Sequence, residues 1–294
     1  MAIPIVFIHI GGAPPPYARI AVEQARLWNP DAPLFFLSSV VQDYGAGETW
    51  VAIDSIPMSP AHQRFREMTP LEGFWKWTTE RLFVLEDWMR SSAVSECIHF
   101  EYDNTIYQDL SKITPLLRKI SPGLSTTFQG QGRDRKAVRA CFSIIYCKAI
   151  DALSNFTEFL ACTTLNTDEM QLGGQYWEDT PEECSFLATA PVGVTLESER
   201  CRDWLEDSRF GDLGCVFDGS AHGQYLGGVD PKYHKDNTEP GFVNPDCDFR
   251  ADQFEYVWVT DEAGRRYPTI ADKNGRPWKI MNLHIHCKRL GDFI

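Results

Sequence analysis

Two carboxylates two positions apart, Glu101 and Asp103, sit in the stretch Glu101-Tyr102-Asp103-Asn104, directly after the apolar run of residues 97–100. Oxygen ligands in such a pair suit a hard divalent cation, Mg²⁺ or Mn²⁺. A second constellation lies near the end of the chain. Asn282, His284, His286 and Lys288 alternate with Met281, Leu283, Ile285 and Cys287. On a strand this period of two sends the apolar set to one face and two imidazoles with an ammonium to the other. An imidazole there can complete a metal's coordination, and a lysine can pair with a phosphate as a point charge. The plainer alternative is a solvent-facing edge strand.

Three further groups carry chemistry. Asp168 and Glu169 open a helical pattern beside Gln171 and Gly173-Gly174. A carboxylate there can deprotonate a hydroxyl, although plain capping of the first turn, with Asn166 or Thr167 as the cap, explains acids at that place equally well. The stretch Phe217-Asp218-Gly-Ser-Ala-His222-Gly-Gln224-Tyr225-Leu-Gly227-Gly228 joins glycines to hydrogen-bonding and ring-bearing side chains of the kind sugars use, and reads equally well as a glycine-rich structural loop. Gly11-Gly12 follows the first apolar run, which ends near His9. It is not Gly-x-Gly-x-x-Gly and three prolines follow, which speaks against a dinucleotide fingerprint. Arg81 stands out on an otherwise core-forming helical stripe as a phosphate or carboxylate partner.

The elements that must position these groups follow from periodicity. Residues 3–10 are rich in Ile, Val and Phe and read as a buried strand; apolar positions at 17, 20, 21, 27 and 28 mark a helix over 17–28; residues 34–37 read as a second strand. This β-loop-α-β opening is that of a doubly wound α/β sheet, in which ligands sit at the carboxyl ends of strands. A variable stretch covers 38–69. A long helix is expected over 71–90, a strand over 97–100, a helix over 109–120, a strand over 142–146 and a helix over 149–161. Residues 181–250 are loop-rich. Strands over 254–260 and 279–287 close the chain, with turns at 262–264 and 273–275.

Composition narrows the function classes. Lys and Arg number 28 against 41 Asp and Glu, a formal net charge of −13. A nucleic-acid binder should instead show a basic footprint. Nine cysteines, an odd number with no Cys-x-x-Cys pair, suit neither a disulfide framework nor a zinc ribbon, and scattered thiols point to a cytoplasmic setting. No stretch approaches the roughly 18 apolar residues of a membrane span.

Taken together, these segments resemble a metal-dependent, nucleotide-sugar glycosyltransferase of GT-A type. The carriers of the likeness are Phe74-Trp-Lys-Trp-Thr-Thr-Glu-Arg81-Leu-Phe-Val-Leu, then His99-Phe-Glu101-Tyr-Asp103-Asn104 as the "DxD" segment, Asp168-Glu169, and Asn282-Leu-His284-Ile-His286-Cys-Lys288. The resemblance implies a Rossmann-like GT-A fold with a central, mostly parallel sheet flanked by helices and an irregular C-terminal half. Residues 1–110 form its nucleotide- and metal-binding half, and residues 111–294 its acceptor half. It implies Mn²⁺ or Mg²⁺ on Glu101, Asp103 and a histidine, either His284 or His286, with His286 favoured. His9, Gly11, Arg81, Asp103 and Lys288 then face a UDP- or GDP-sugar donor. His222, Gln224 and Tyr225 face a saccharide acceptor, and Asp168 or Glu169 acts as base in an inverting transfer. A departure is the first acid of the triplet, Glu rather than Asp, which makes Asp103 the safer ligand. The competing readings are a metal-dependent hydrolase of nucleotide sugars or phosphodiesters and a sugar-binding module without catalysis.

Overall fold

The computed structural model describes residues 2–131, 137–163, 167–198, 201–206, 208–211, 213–232 and 235–294. Its first strand, β1 (Ile5–His9), is apolar and buried on both faces, as a central strand of a parallel sheet must be. It leads through α1 (Tyr17–Trp28) to β2 (Leu34–Ser38), which pairs with it in parallel, Ile5 opposite Leu34. The stretch 38–69 is not featureless: it holds β3 (Thr49–Ala52) and α2 (Pro60–Met68), the latter capped by Ser59. Then follow α3 (Gly73–Ser91), β4 (Cys97–Phe100), β5 (Asn104–Ile106), α4 (Thr114–Ile120), β6 (Leu124–Gly130), β7 (Arg139–Cys147), α5 (Ile150–Cys162), α6 (Glu169–Asp179) and β8 (Cys184–Leu187).

Seven strands form one sheet in the order β3-β2-β1-β4-β7-β6-β8. Only β7 runs against its neighbours; every other pairing is parallel. The expected mostly parallel, helix-flanked sheet is therefore present. Side chains alternate between its two faces. Ile5 and Phe7 meet Ala18, Ala21, Val22 and Ala25 of α1 on one side. Val6 and Ile8 meet Leu82, Phe83 and Leu85 of α3 on the other, where α5 and α6 also pack.

The C-terminal half adds a four-stranded sheet, β10-β11-β12-β9, built from β9 (Cys215–Val216), β10 (Tyr256–Thr260), β11 (Arg266–Ala271) and β12 (Pro277–Ile280). A short strand, β13 (Asn282–His284), pairs antiparallel with β5. Two expectations are corrected here. The segment 109–120 is not one helix but a 3₁₀ turn, Leu110–Lys112, followed by α4. The strand expected over 279–287 is two strands in different sheets. Met281 donates its N–H to Val216 and accepts from Tyr107 N, so the chain passes from β9 to β5 at that residue. His286 and Lys288 consequently lie beyond the strand, and Lys288 takes a left-handed backbone with φ +61°.

All nine cysteines are free thiols. Among the described residues, no helix is long and apolar enough to cross a membrane.

Candidate metal centre at the strand ends

Four elements converge beyond the carboxyl end of β4. Glu101 and Asp103 leave β4 and enter β5, where the backbone of Asn104 returns to Glu101. The β13–β5 pairing sets His284 opposite Asn104. It is locked by side chains as well, with Asn282 Nδ2 donating to Asn104 Oδ1 at 2.7 Å. Arg81 reaches the same point from α3.

The result is a cluster of acceptors. His284 Nε2 lies 3.1 Å from Glu101 Oε2 and 3.3 Å from Asp103 Oδ2. Its other nitrogen, Nδ1, donates to the Gly219 carbonyl at 2.7 Å, which leaves the Nε2 lone pair aimed at the acids. Asp103 Oδ1 is buried without a hydrogen-bond partner. Two carboxylates and an imidazole facing one another need a shared positive charge. Burial alone would lower the His284 imidazole, but Asp103 more than offsets it and raises it to about 10. Burial would likewise raise the Asp103 carboxyl; Lys288 and His284 overcome it and hold that carboxyl well below the usual range. The ligand atoms of Glu101, Asp103 and His284 all lie within 4.8 Å of one another, close enough for the three to hold a single metal ion. With the orphaned Asp103 Oδ1, this oxygen-rich set with one nitrogen is donor chemistry for a hard divalent cation.

Cations ring the cluster. Lys288 Nζ pairs with Asp103 Oδ2. Arg81 Nη1 pairs with Glu101 Oε1, while its Nη2 lies 3.6 Å from Glu169 Oε1. His9, at the end of β1, hydrogen-bonds Tyr102 through Nδ1 at 3.0 Å. Gly11 holds φ +82° and donates its N–H to Ser39 Oγ at 3.1 Å.

The other sequence-selected residues divide. His286 lies beside His284 with ring centroids 4.1 Å apart and the ring planes tilted by 48°, and its Nδ1 takes a hydrogen bond from Gln224 Nε2 at 3.1 Å. Of the two imidazoles it is His284 that turns a nitrogen to the acids. The capping alternative describes Asp168: Oδ1 caps α6 through Gln171 N at 3.0 Å and Oδ2 pairs with Arg139 at 2.9 Å. Thr167 is not the cap, and Asn166 lies outside the described residues. Glu169 is buried, accepts from Thr78 Oγ1 at 3.0 Å, and has its pKa raised by that burial despite Arg81.

The segment read as an acceptor loop is instead a short helix, His222–Gly227, packed inside. His222 has both ring nitrogens engaged inside the protein, Nδ1 on Tyr256 Oη at 2.8 Å and Nε2 on the Thr189 carbonyl at 3.0 Å, so neither is left to meet an acceptor. Gln224 is buried against His286, and Tyr225 stacks on Tyr256 with centroids 5.3 Å apart. The residue that matters in this segment is Asp218, to which residue type and spacing assign no role. It accepts four backbone N–H groups: Ala221 and His222 on Oδ1, both at 3.0 Å, and Gly223 and His284 on Oδ2, at 2.7 and 2.9 Å. It thereby ties the short helix to β13 and fixes the height of His284. Its sequence signal is an Asp ahead of a helical start, which marks a cap.

No family model matches the chain, and no curated protein does. Among solved structures it is similar to mouse xyloside xylosyltransferase 1 in its apo form, with 8% identity over 70% of this chain and 94% of that one, at a TM-score of 0.48. It is also similar to the galactosyltransferase LgtC in complex with donor and acceptor sugar analogues, with 11% identity over 69% and 83% of the two chains and a TM-score of 0.44. The glycosyltransferase GlyE of Streptococcus pneumoniae matches with 11% identity over 63% and 45%, at a TM-score of 0.39.

Proposed function

We propose that this protein is a glycosyltransferase that moves a sugar from a UDP- or GDP-sugar to an acceptor hydroxyl, with Mn²⁺ or Mg²⁺ held by Glu101, Asp103 and His284. The observation that carries the proposal is the convergence of these three ligand atoms, with Lys288 on Asp103, at the carboxyl end of a mostly parallel sheet. Ligands of such sheets bind there. The bound cation supplies charge against a leaving diphosphate.

The chain's own residues do the rest. Lys288 is partly exposed beside Asp103 and places a point charge for a phosphate oxygen. Arg81, held between Glu101 and Glu169, keeps Glu101 turned toward the cluster. Tyr102 and His9 line the α1 side of the site, and Gly11 lets backbone approach a ligand. Glu169 is our candidate for the group that takes the acceptor proton. Its raised pKa is the direction a general base working near neutral pH requires, and Asp168 is occupied as a cap. Departure of the diphosphate leaves an oxocarbenium-like centre, as in glycoside hydrolysis.

A thermal-shift panel of UDP and GDP with and without Mn²⁺ tests donor binding, since a ligand that binds the folded state raises the melting temperature by mass action. Asp103→Ala should abolish that metal-dependent shift and the turnover, and leave the fold intact. Product analysis with acceptors present then separates transfer, which forms a new glycosidic bond, from hydrolysis, which yields free sugar only.

A further inference from the structure

The first five residues of α3 include three exposed large aromatics, Phe74, Trp75 and Trp77. The same helix is buried from Thr78 to Met89. Exposed apolar surface gathered at one place marks a binding site more often than chance. Trp77 differs from its two neighbours in position. It lies four residues before Arg81, hence on the same helix face and one turn, about 6 Å, further out. Arg81 points that face at Glu101. The Trp77 ring also lies along the backbone of Gly11, where a Cβ would come within 3.3 Å of Trp77 Cζ2. Trp77 is nevertheless 46% exposed, so a broad part of its surface is open to solvent beside the candidate centre.

The two sides of the sheet allocate the ligands. Asp103 and His284 enter with β5 and β13, whose apolar residues pack with α1. The rings of Tyr17, Tyr102 and His9 gather on that same side, Tyr102 lying 5.9 Å from Tyr17 and 5.1 Å from His9 between centroids. A nucleotide whose diphosphate meets Asp103 and Lys288 therefore has its aromatic surroundings there. Trp77 stands across Gly11, with α3 and α6, on the side of Arg81 and Glu169. Glu101 bridges the two, with one oxygen on Arg81 and the other toward His284.

We infer that Trp77 is the platform on which the pyranose ring of the saccharide acceptor stacks, across Gly11 from the donor. The inference rests on the reading of the acid–imidazole cluster as the donor site. Trp77 touches substrate here, and it would determine which acceptors are held with a hydroxyl toward Glu169.

The test is a ligand-observed NMR titration of methyl glucoside, galactoside, mannoside and xyloside pyranosides, with Mn²⁺ and saturating UDP or GDP, whichever wild type binds. Wild type should bind at least one pyranoside. Trp77→Leu should weaken it roughly ten-fold. Trp77→Phe should recover most of the loss, and Trp75→Leu should stay within two-fold of wild type. All three variants should bind nucleotide with Mn²⁺ within two-fold of wild type. Unchanged pyranoside affinity in Trp77→Leu overturns the inference, as does a wild type that binds none of the four. Weakened nucleotide binding in Trp77→Leu also overturns it, by assigning the ring to the donor base. Asp103→Ala separates the two layers. If it retains metal-dependent nucleotide binding, or if wild type binds neither nucleotide, the donor site itself is wrong and the Trp77 assignment falls with it.

Discussion

Replacing Asp218 by Asn removes the charge and half of the acceptor capacity from a fully buried group without changing its shape. The native carboxylate takes two backbone N–H groups on each oxygen, at 2.7 to 3.0 Å. An Asn oxygen can serve one pair; its NH₂ must then face the other. Two buried N–H groups lose their acceptor and the remaining two lose charge assistance. At about 1–3 kcal/mol for each stranded donor, the cost is roughly 4 kcal/mol. The second consequence is local. His284 N is one of the four donors, and the neighbouring chain cannot yield easily, because a Cβ at Gly223 would already lie 2.1 Å from the His284 carbonyl oxygen. Misplacing a ligand through its supporting shell typically costs 10- to 100-fold in metal affinity. Urea denaturation of wild type and Asp218→Asn measures the first effect, and Mn²⁺ titration calorimetry the second. A variant within 1 kcal/mol of wild type that also binds Mn²⁺ within two-fold would refute the argument that Asp218 sets the position of His284.

A buried ionic clamp away from the site gives a pH prediction. His62 of α2 bridges Asp87 at 2.7 Å and Glu80 at 3.2 Å on α3, with Arg66 also on Glu80. Burial lowers the His62 imidazole, but Asp87 and Glu80 more than offset it and raise it above its ordinary 6.5. The clamp's contribution is then complete below about pH 6.5 and is lost as pH rises through the raised value. His62→Leu, which takes the imidazole from buried Asp87 and leaves Glu80 to Arg66 alone, should cost about 3–5 kcal/mol at pH 6 and less at pH 9; equal urea-midpoint differences at the two pH values would contradict this. Lys288→Met should oppose two effects. Mn²⁺ alone should bind at least as tightly, because a cation beside Asp103 is gone, while UDP or GDP with Mn²⁺ should bind at least ten-fold more weakly by calorimetry. A variant weakened for Mn²⁺ alone would show Lys288 to be structural.

The parts of the fold that the sequence makes legible are those in which composition mirrors burial. Residues 3–10 and 97–100 read as strands because a parallel sheet buries both their faces, and the helix expected over 71–90 is α3 within two residues. Alternation over residues 281–288 holds only as far as His284, where β13 ends, and nothing in the residue types records that the chain changes sheets at Met281, since backbone hydrogen bonds to Val216 and Tyr107 make that step; Lys288 reaches Asp103 from beyond the strand. The same holds for residues 217–228. Their glycines and polar side chains look like an open sugar loop, but the glycines serve close packing: a Cβ at Gly223 would strike His284 O and one at Gly227 would meet Cys287 Sγ at 2.8 Å. His222 is a core histidine satisfied on both nitrogens. Partners that are backbone atoms, as for Asp218, leave little trace in residue type. Spacing alone also leaves His284 and His286 equivalent; what distinguishes them is His284 Nε2, which lies 3.1 Å from Glu101 Oε2 and 3.3 Å from Asp103 Oδ2.

Mn²⁺ titration calorimetry of wild type, His284→Ala and His286→Ala tests the proposed centre most directly. The geometry predicts one Mn²⁺ per wild-type chain, a loss of at least 100-fold in His284→Ala, about 2.7 kcal/mol, and a change of no more than three-fold in His286→Ala. Equal affinities in wild type and His284→Ala, or a larger loss in His286→Ala, would contradict it.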